Sequence, residues 1–94
     1  MFETQWNDDN TLALIGRLDA SQVPKLADPL STLTTTATLD CERLDYISSA
    51  GLGALIATQR RLVDAGHAIR FRNLNRHISE LFRIAGFHAI FEIE

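Results

Sequence analysis

The chain has a single cysteine, Cys41, among 94 residues. One thiol excludes an internal disulfide, and its place in an alternating stretch reads as core filler rather than a nucleophile. Long apolar runs are missing. None approaches the length of a membrane span, and no early apolar run follows a basic start, so the expected setting is cytoplasmic, without direct membrane insertion. Aromatic residues make up only 7%, no aromatic-plus-basic recognition signature is present, and the net charge is −3. Both features argue against nucleic acid as a partner. Metal-like spacing is absent as well. His67, His77 and His88 each lie beside a turn or helix end and read as surface histidines, so no metal and no cofactor is expected.

Enzyme signatures fail on detail. Gly51-Leu52-Gly53 follows a strand-like stretch, as in a dinucleotide loop. The third glycine of that fingerprint would fall at Ile56, and no second nucleotide half fits in the remaining chain. No Gly-Lys-Ser/Thr follows a glycine-rich loop. A hydrolase elbow needs glycine two residues before its serine, where Tyr46 and Ile47 stand instead. No carboxylate pair is marked out for acid–base work. The reading is therefore not an enzyme, with no catalytic residues.

A 46% hydrophobic composition is that of a globular protein, and the length suits one domain over residues 1–94 with a narrow stability margin. Residues 2–7 read as a strand, Asp8-Asp9-Asn10 as a turn, and Thr11 to Leu18 as a central strand apolar on both faces. Trp6 reads as packing. Asp19-Ala20-Ser21 opens a helix with Ser21 as its cap and Pro24 in the first turn. Val23, Leu26, Leu30 and Leu33 share a face, and Pro29 predicts a kink or break near Lys25 to Asp28. Ser31 to Thr38 is threonine-rich, either loop or strand entry, and Thr38 to Cys41 alternates as a strand. Leu52, Leu55, Ile56, Leu62 and Val63 mark a helix stopped by Gly66. Ala68 to Leu74 is a strand with Arg70 and Arg72 on its polar side. A short helix follows, with Ile78, Leu81, Phe82 and Ala85 facing inward and Gly86 closing it. Phe87 to Glu94 is part loop and part strand. The alternation predicts a mixed α/β fold with parallel crossovers.

Charge is unevenly placed. Residues 1–45 hold eight acids and three bases, whereas residues 46–94 hold four acids and six arginines: Arg60, Arg61, Arg70, Arg72, Arg76 and Arg83. These arginines are either a solvated face or a docking patch for an acidic partner.

The chemistry left unexplained lies in Leu44-Asp45-Tyr46-Ile47-Ser48-Ser49-Ala50-Gly51-Leu52-Gly53. Two serines stand where a strand hands over to a helix. A helix start has unpaired N–H groups and a partial positive charge, so serine there is a cap or a seat for phosphate. Residue pattern alone makes the cap the commoner outcome.

From Gly16 to Ile93 the chain resembles the STAS domain, the fold of bacterial anti-sigma factor antagonists. The likeness rests on Gly16-Arg17-Leu18-Asp19-Ala20, on the serine stretch just quoted, and on Leu74-Asn75-Arg76-His77-Ile78-Ser79-Glu80-Leu81-Phe82-Arg83-Ile84-Ala85-Gly86-Phe87. The resemblance implies a single STAS-like α/β domain, with a mixed sheet of four to five strands and three to four helices. It implies a signalling phosphoprotein that regulates transcription. Ser49, two residues before the glycine that opens the helix, would be phosphorylated by a partner anti-sigma serine kinase and reset by a phosphatase. The unphosphorylated form would bind that kinase and free the sigma factor. Asp19, Ser48, Ser49, Ala50, Gly51 and Leu52 would form the partner-binding set. The family often has Asp at the position of Ser48, which makes Ser48 a rival acceptor. The resemblance leaves two other readings. One is a STAS subunit of a phospholipid-transport ABC complex that binds its ATPase; such proteins tend to carry threonine in place of Ser49. The other is a signalling scaffold module.

Overall fold

The computed structural model describes residues 1–94. Strand β1 (Phe2–Asp8) turns back through Asp9 and Asn10 into the antiparallel strand β2 (Thr11–Leu18). The Asp8 carboxylate accepts the Asn10 amide at 2.8 Å and closes the expected turn. A 3-10 turn at Ala20–Gln22 leads into helix α1 (Val23–Ser31). Strand β3 (Ala37–Ile47) lies parallel to β2 and is followed by helix α2 (Ser49–Asp64). Strand β4 (Ile69–Arg72), helix α3 (Arg76–Ile84), a 3-10 turn at Phe87–Ala89 and the short strand β5 (Glu92–Ile93) complete the chain. The sheet runs in the order β1-β2-β3-β4-β5, with only the first pair antiparallel.

Register explains which side of the sheet is covered. Trp6, Leu12, Leu39 and Phe71 are paired across four strands. The last three are fully buried and share one 20-residue core with Leu26, Leu55, Leu62, Ile78 and Phe82 from the helices. The next row, Gln5, Ala13, Asp40 and Arg72, points the other way, because successive strand residues alternate faces. Helices thus cover the first face, and the second carries polar and charged side chains. Trp6 ends the covered row, but it lies on the edge strand and stays 43% exposed, not packed as expected. No helix is long and apolar enough to cross a membrane.

Other local expectations are revised by tertiary contacts. Ser21 does not cap; Asp19 does, accepting the Ser21 amide at 3.0 Å. Pro29 does not break α1, which runs on to Ser31. Its missing N–H lies only two residues from the helix end, and the terminal carbonyls find other donors. Ser31 Oγ donates to Asp28 O, Thr32 Oγ1 to Pro29 O, and the Arg61 guanidinium to Leu30 O and Leu33 O at 2.8 and 2.7 Å. Leu33 is buried beyond the helix rather than on it, and Val63 and Ala85 face solvent. Strand β4 stops at Arg72 because Asn73 takes a left-handed φ of 58°. Gly66 ends α2 as expected, with φ 84° and the His67 amide donating back to Leu62 O at 2.8 Å.

Candidate functional site

The C-terminal ends of β2 and β3 are joined at the candidate site. The Ser48 amide donates to Leu18 O at 2.9 Å, which sets the β3–α2 junction beside the turn that begins at Asp19. Ser48 has extended backbone, and its Oγ accepts the Gly51 amide at 3.1 Å. It is the N-cap of α2. Ser49 is the first helical residue and is exposed. The helix therefore opens at Ser49 itself, two residues ahead of Gly51. The amides of Ser49 and Ala50 have no carbonyl to meet inside the helix, so the positive pole faces outward beside the Ser49 hydroxyl.

Gly51 is buried under the strands. A Cβ there would stand 2.9 Å from Leu18 Cδ2 and 3.0 Å from Ile47 Cγ1. Only a glycine lets the helix start approach β2 and β3 this closely. Leu52 is half-buried against the core, and Ala50 is exposed. Of the residues predicted for partner contact, Ser49 and Ala50 are open to solvent. Asp19, Ser48 and Leu52 are partly open, and Gly51 acts beneath them.

The Asp19 carboxylate is committed to its own turn. It accepts the Ser21 hydroxyl at 2.6 Å and the Ser21 amide at 3.0 Å. The hydroxyl, foremost among its partners, holds the carboxyl below the usual aspartate range, so it is charged at neutral pH. Sequence reading missed Arg17 and Tyr46. They are paired across β2 and β3, and the Arg17 guanidinium lies 4.5 Å over the Tyr46 ring. Alternation alone places both on the polar face, but the register that joins them is not local information.

The arginine-rich second half is largely spent inside the molecule. Arg61 caps α1, Arg70 pairs with Glu92 at 2.8 Å, Arg72 with Asp40 at 3.4 Å, and Arg83 with Glu80. Of the six arginines, only Arg60 and Arg76 make no side-chain hydrogen bond or ion pair within the chain. Cys41 is fully buried, and burial pushes its thiol up to about 12, as suits core filler. No group of three His, Cys, Asp or Glu side chains is placed to hold a metal.

Fold and site together define a small α/β module whose distinctive exposed chemistry is one hydroxyl at a helix start. Residues 2–92 match the family model described as "Mlab, STAS domain", and the chain belongs to the STAS domain family. Two curated relatives are similar to it. A Bordetella bronchiseptica protein named for anti-sigma factor antagonism, BtrV, is 40% identical over 55 residues, 58% of this chain. That match spans 47% of BtrV, so less than two thirds of this relative is covered. The anti-sigma-B factor antagonist of Bacillus subtilis is 25% identical over 92 residues, 95% of this chain and 84% of that protein. Among solved structures, the anti-sigma factor antagonist SpoIIAA in its unphosphorylated form superposes over the whole chain and 88% of its own, with TM-score 0.78 and 21% identity. The phosphorylated form of Bacillus SpoIIAA superposes over the whole chain and 91% of its own, with TM-score 0.71 and 21% identity. These two likenesses establish the shared fold.

Proposed function

We propose that this chain is a single-domain anti-sigma factor antagonist that works by binding rather than by turnover. In this reading its unphosphorylated form engages a partner anti-sigma serine kinase in the cytosol, phosphorylation of Ser49 releases that partner, and a phosphatase restores binding. The observation that carries the reading is the division of labour between the serines. Ser48 Oγ is used by the Gly51 amide, whereas the Ser49 hydroxyl is exposed beside free helix amides. The names of the two curated relatives supply the class of partner.

A phosphoryl group on Ser49 would add about −1.5 to −2 charges at neutral pH. The helix pole favours such a charge by about 0.3–1 kcal/mol at an exposed site. The fold therefore tolerates the modification. A partner pressed on Ser49 does not: the phosphate loses water there and meets any acidic neighbour. A penalty of about 3–4 kcal/mol lowers affinity by two to three decades.

The test is a pull-down from native lysate with Ser49→Ala and Ser49→Asp baits, read by mass spectrometry. The expected result is a small kinase-fold protein on the Ala bait and not on the Asp bait. The family model's own description, MlaB rather than an antagonist name, favours a second reading: a subunit that binds the ATPase of a phospholipid-transport complex. An ABC ATPase held equally by both baits establishes that reading and leaves Ser49 as an interface residue.

A further inference from the structure

The end of the sheet opposite Ser49 carries a cleft of about 520 Å³, within the size range of small-ligand sites. It lies between the β1–β2 hairpin and the loop that leaves α1. Serine and cleft are at opposite ends of β2, about 23 Å apart by strand rise, so the cleft is no part of the serine site. Two features singled out by sequence, Trp6 and the threonine-rich loop, meet here without a role in that site.

The indole of Trp6 forms one wall, exposed at the outer end of the core row. Buried Leu33 adds an apolar patch. The remaining lining is polar. Asp8 and Asp9 contribute carboxylates, and Thr34 and Thr35 contribute hydroxyls. The Asp8 carboxylate is occupied by the turn, at 2.8 Å from the Asn10 amide. The side chains of Asp9, Thr34 and Thr35 make no hydrogen bond within the chain, unlike Thr32 and Thr36 of the same loop. No lysine, arginine or histidine lines the cleft, although the Arg72 guanidinium acts on the Asp8 carboxylate from outside it, so Asp9 is the carboxylate left for a ligand.

This combination selects a charge type. An aromatic face attracts a cation, and indole does so best. The unpartnered Asp9 carboxylate adds attraction for the same sign and repels anions. A neutral polyol would displace water from the carboxylates without compensating their charge. We propose that this cleft binds a small organic cation, an alkylamine whose ammonium lies over Trp6 and donates to Asp9 and the threonine hydroxyls.

Trp6 is the only tryptophan of the chain, so its fluorescence reports on the cleft directly. The experiment titrates the full chain with spermidine at low ionic strength, with glycerol as the neutral control. The expected result is a saturable change in Trp6 emission at about millimolar spermidine, weakened by added salt, and none with glycerol. Asp9→Asn keeps the turn chemistry and should weaken binding about fivefold. Ser49→Asp should leave it unchanged. Calorimetry on Trp6→Leu checks the indole contact without relying on the reporter, and a weakened heat signal is expected. Absence of a saturable response, an equal response to glycerol, or unchanged affinity in both Asp9→Asn and Trp6→Leu would overturn the proposal.

Discussion

Ser48 and Ser49 are chemically identical neighbours with different duties, and the difference is one hydrogen bond. Because Ser48 Oγ accepts the Gly51 amide, Ser48→Ala should cost about 1 kcal/mol in urea denaturation, while Ser48→Asp keeps the cap. Ser49→Ala should leave stability within about 0.5 kcal/mol, as an exposed first-turn position. Asp40 gives a second residue-scale prediction. Burial pushes its carboxyl up, but the Glu42 amide, the Asn73 side chain and Arg72 together outweigh it and hold the pKa below the usual value. The folded pKa is depressed, so the contribution is full above the unfolded value. It is lost as pH falls from there through the folded one. Asp40→Asn should therefore flatten the acid limb of a stability-versus-pH curve. That a serine caps α2 was legible in sequence, because a cap spans three residues, but which of the two does so was not. The Asp40 cluster was not, since Arg72 and Asn73 lie 32 and 33 residues away.

Helix α2 shows what an element requires beyond its apolar period. Gly51 and Gly53 look equivalent in sequence but not in the fold. A Cβ at Gly51 would crowd Leu18 and Ile47, whereas one at Gly53 would meet nothing within 4 Å. Gly53→Ala should stabilise the protein by about 0.5–1 kcal/mol through helix propensity. Gly51→Ala should lose about 1 kcal/mol, because overpacking exceeds that gain. Thermal melts of the two variants should move in opposite directions. The same helix supports α1 through Arg61, so Arg61→Ala should cost about 1 kcal/mol, with the loss appearing as faster amide exchange at the end of α1. Sequence period located both helices. The end of α1 beyond Pro29 is also held by the Arg61 guanidinium from another helix, which no local pattern contains.

The whole molecule has a core small enough for one aromatic to decide its stability. Phe71, Phe82, Phe87 and Phe91 form a chain of ring contacts at 4.9 to 5.0 Å, tying β4, α3 and the C-terminal segment together. Gln59 fastens the same region, donating to Ile90 O and accepting the Ile69 amide at 2.9 and 2.8 Å. Phe82→Ala should remove about 3–5 kcal/mol, a large share of the stability available to a domain of this size. Unfolding followed by circular dichroism should show it. Under the proposed switch, phosphorylation of Ser49 acts at the surface. Amide spectra of the modified protein should shift around Ser48 to Leu52 and leave the aromatic core unchanged.

By itself the sequence determined the mixed α/β class, the positions of the three helices and the serine pair at a strand-to-helix junction. Those features follow from short-range rules: apolar period, turn residues and glycine stops act within a few positions. Only the tertiary structure decided which serine is the cap and which is exposed, that Gly51 must be small and Gly53 need not be, and that Arg61, Arg70, Arg72 and Arg83 are engaged internally. It also decided that Trp6 lines a cleft rather than the core. Each outcome depends on strand register and on contacts between residues distant in sequence. Distance along the chain does not encode these contacts; closure of the sheet against its helices creates them.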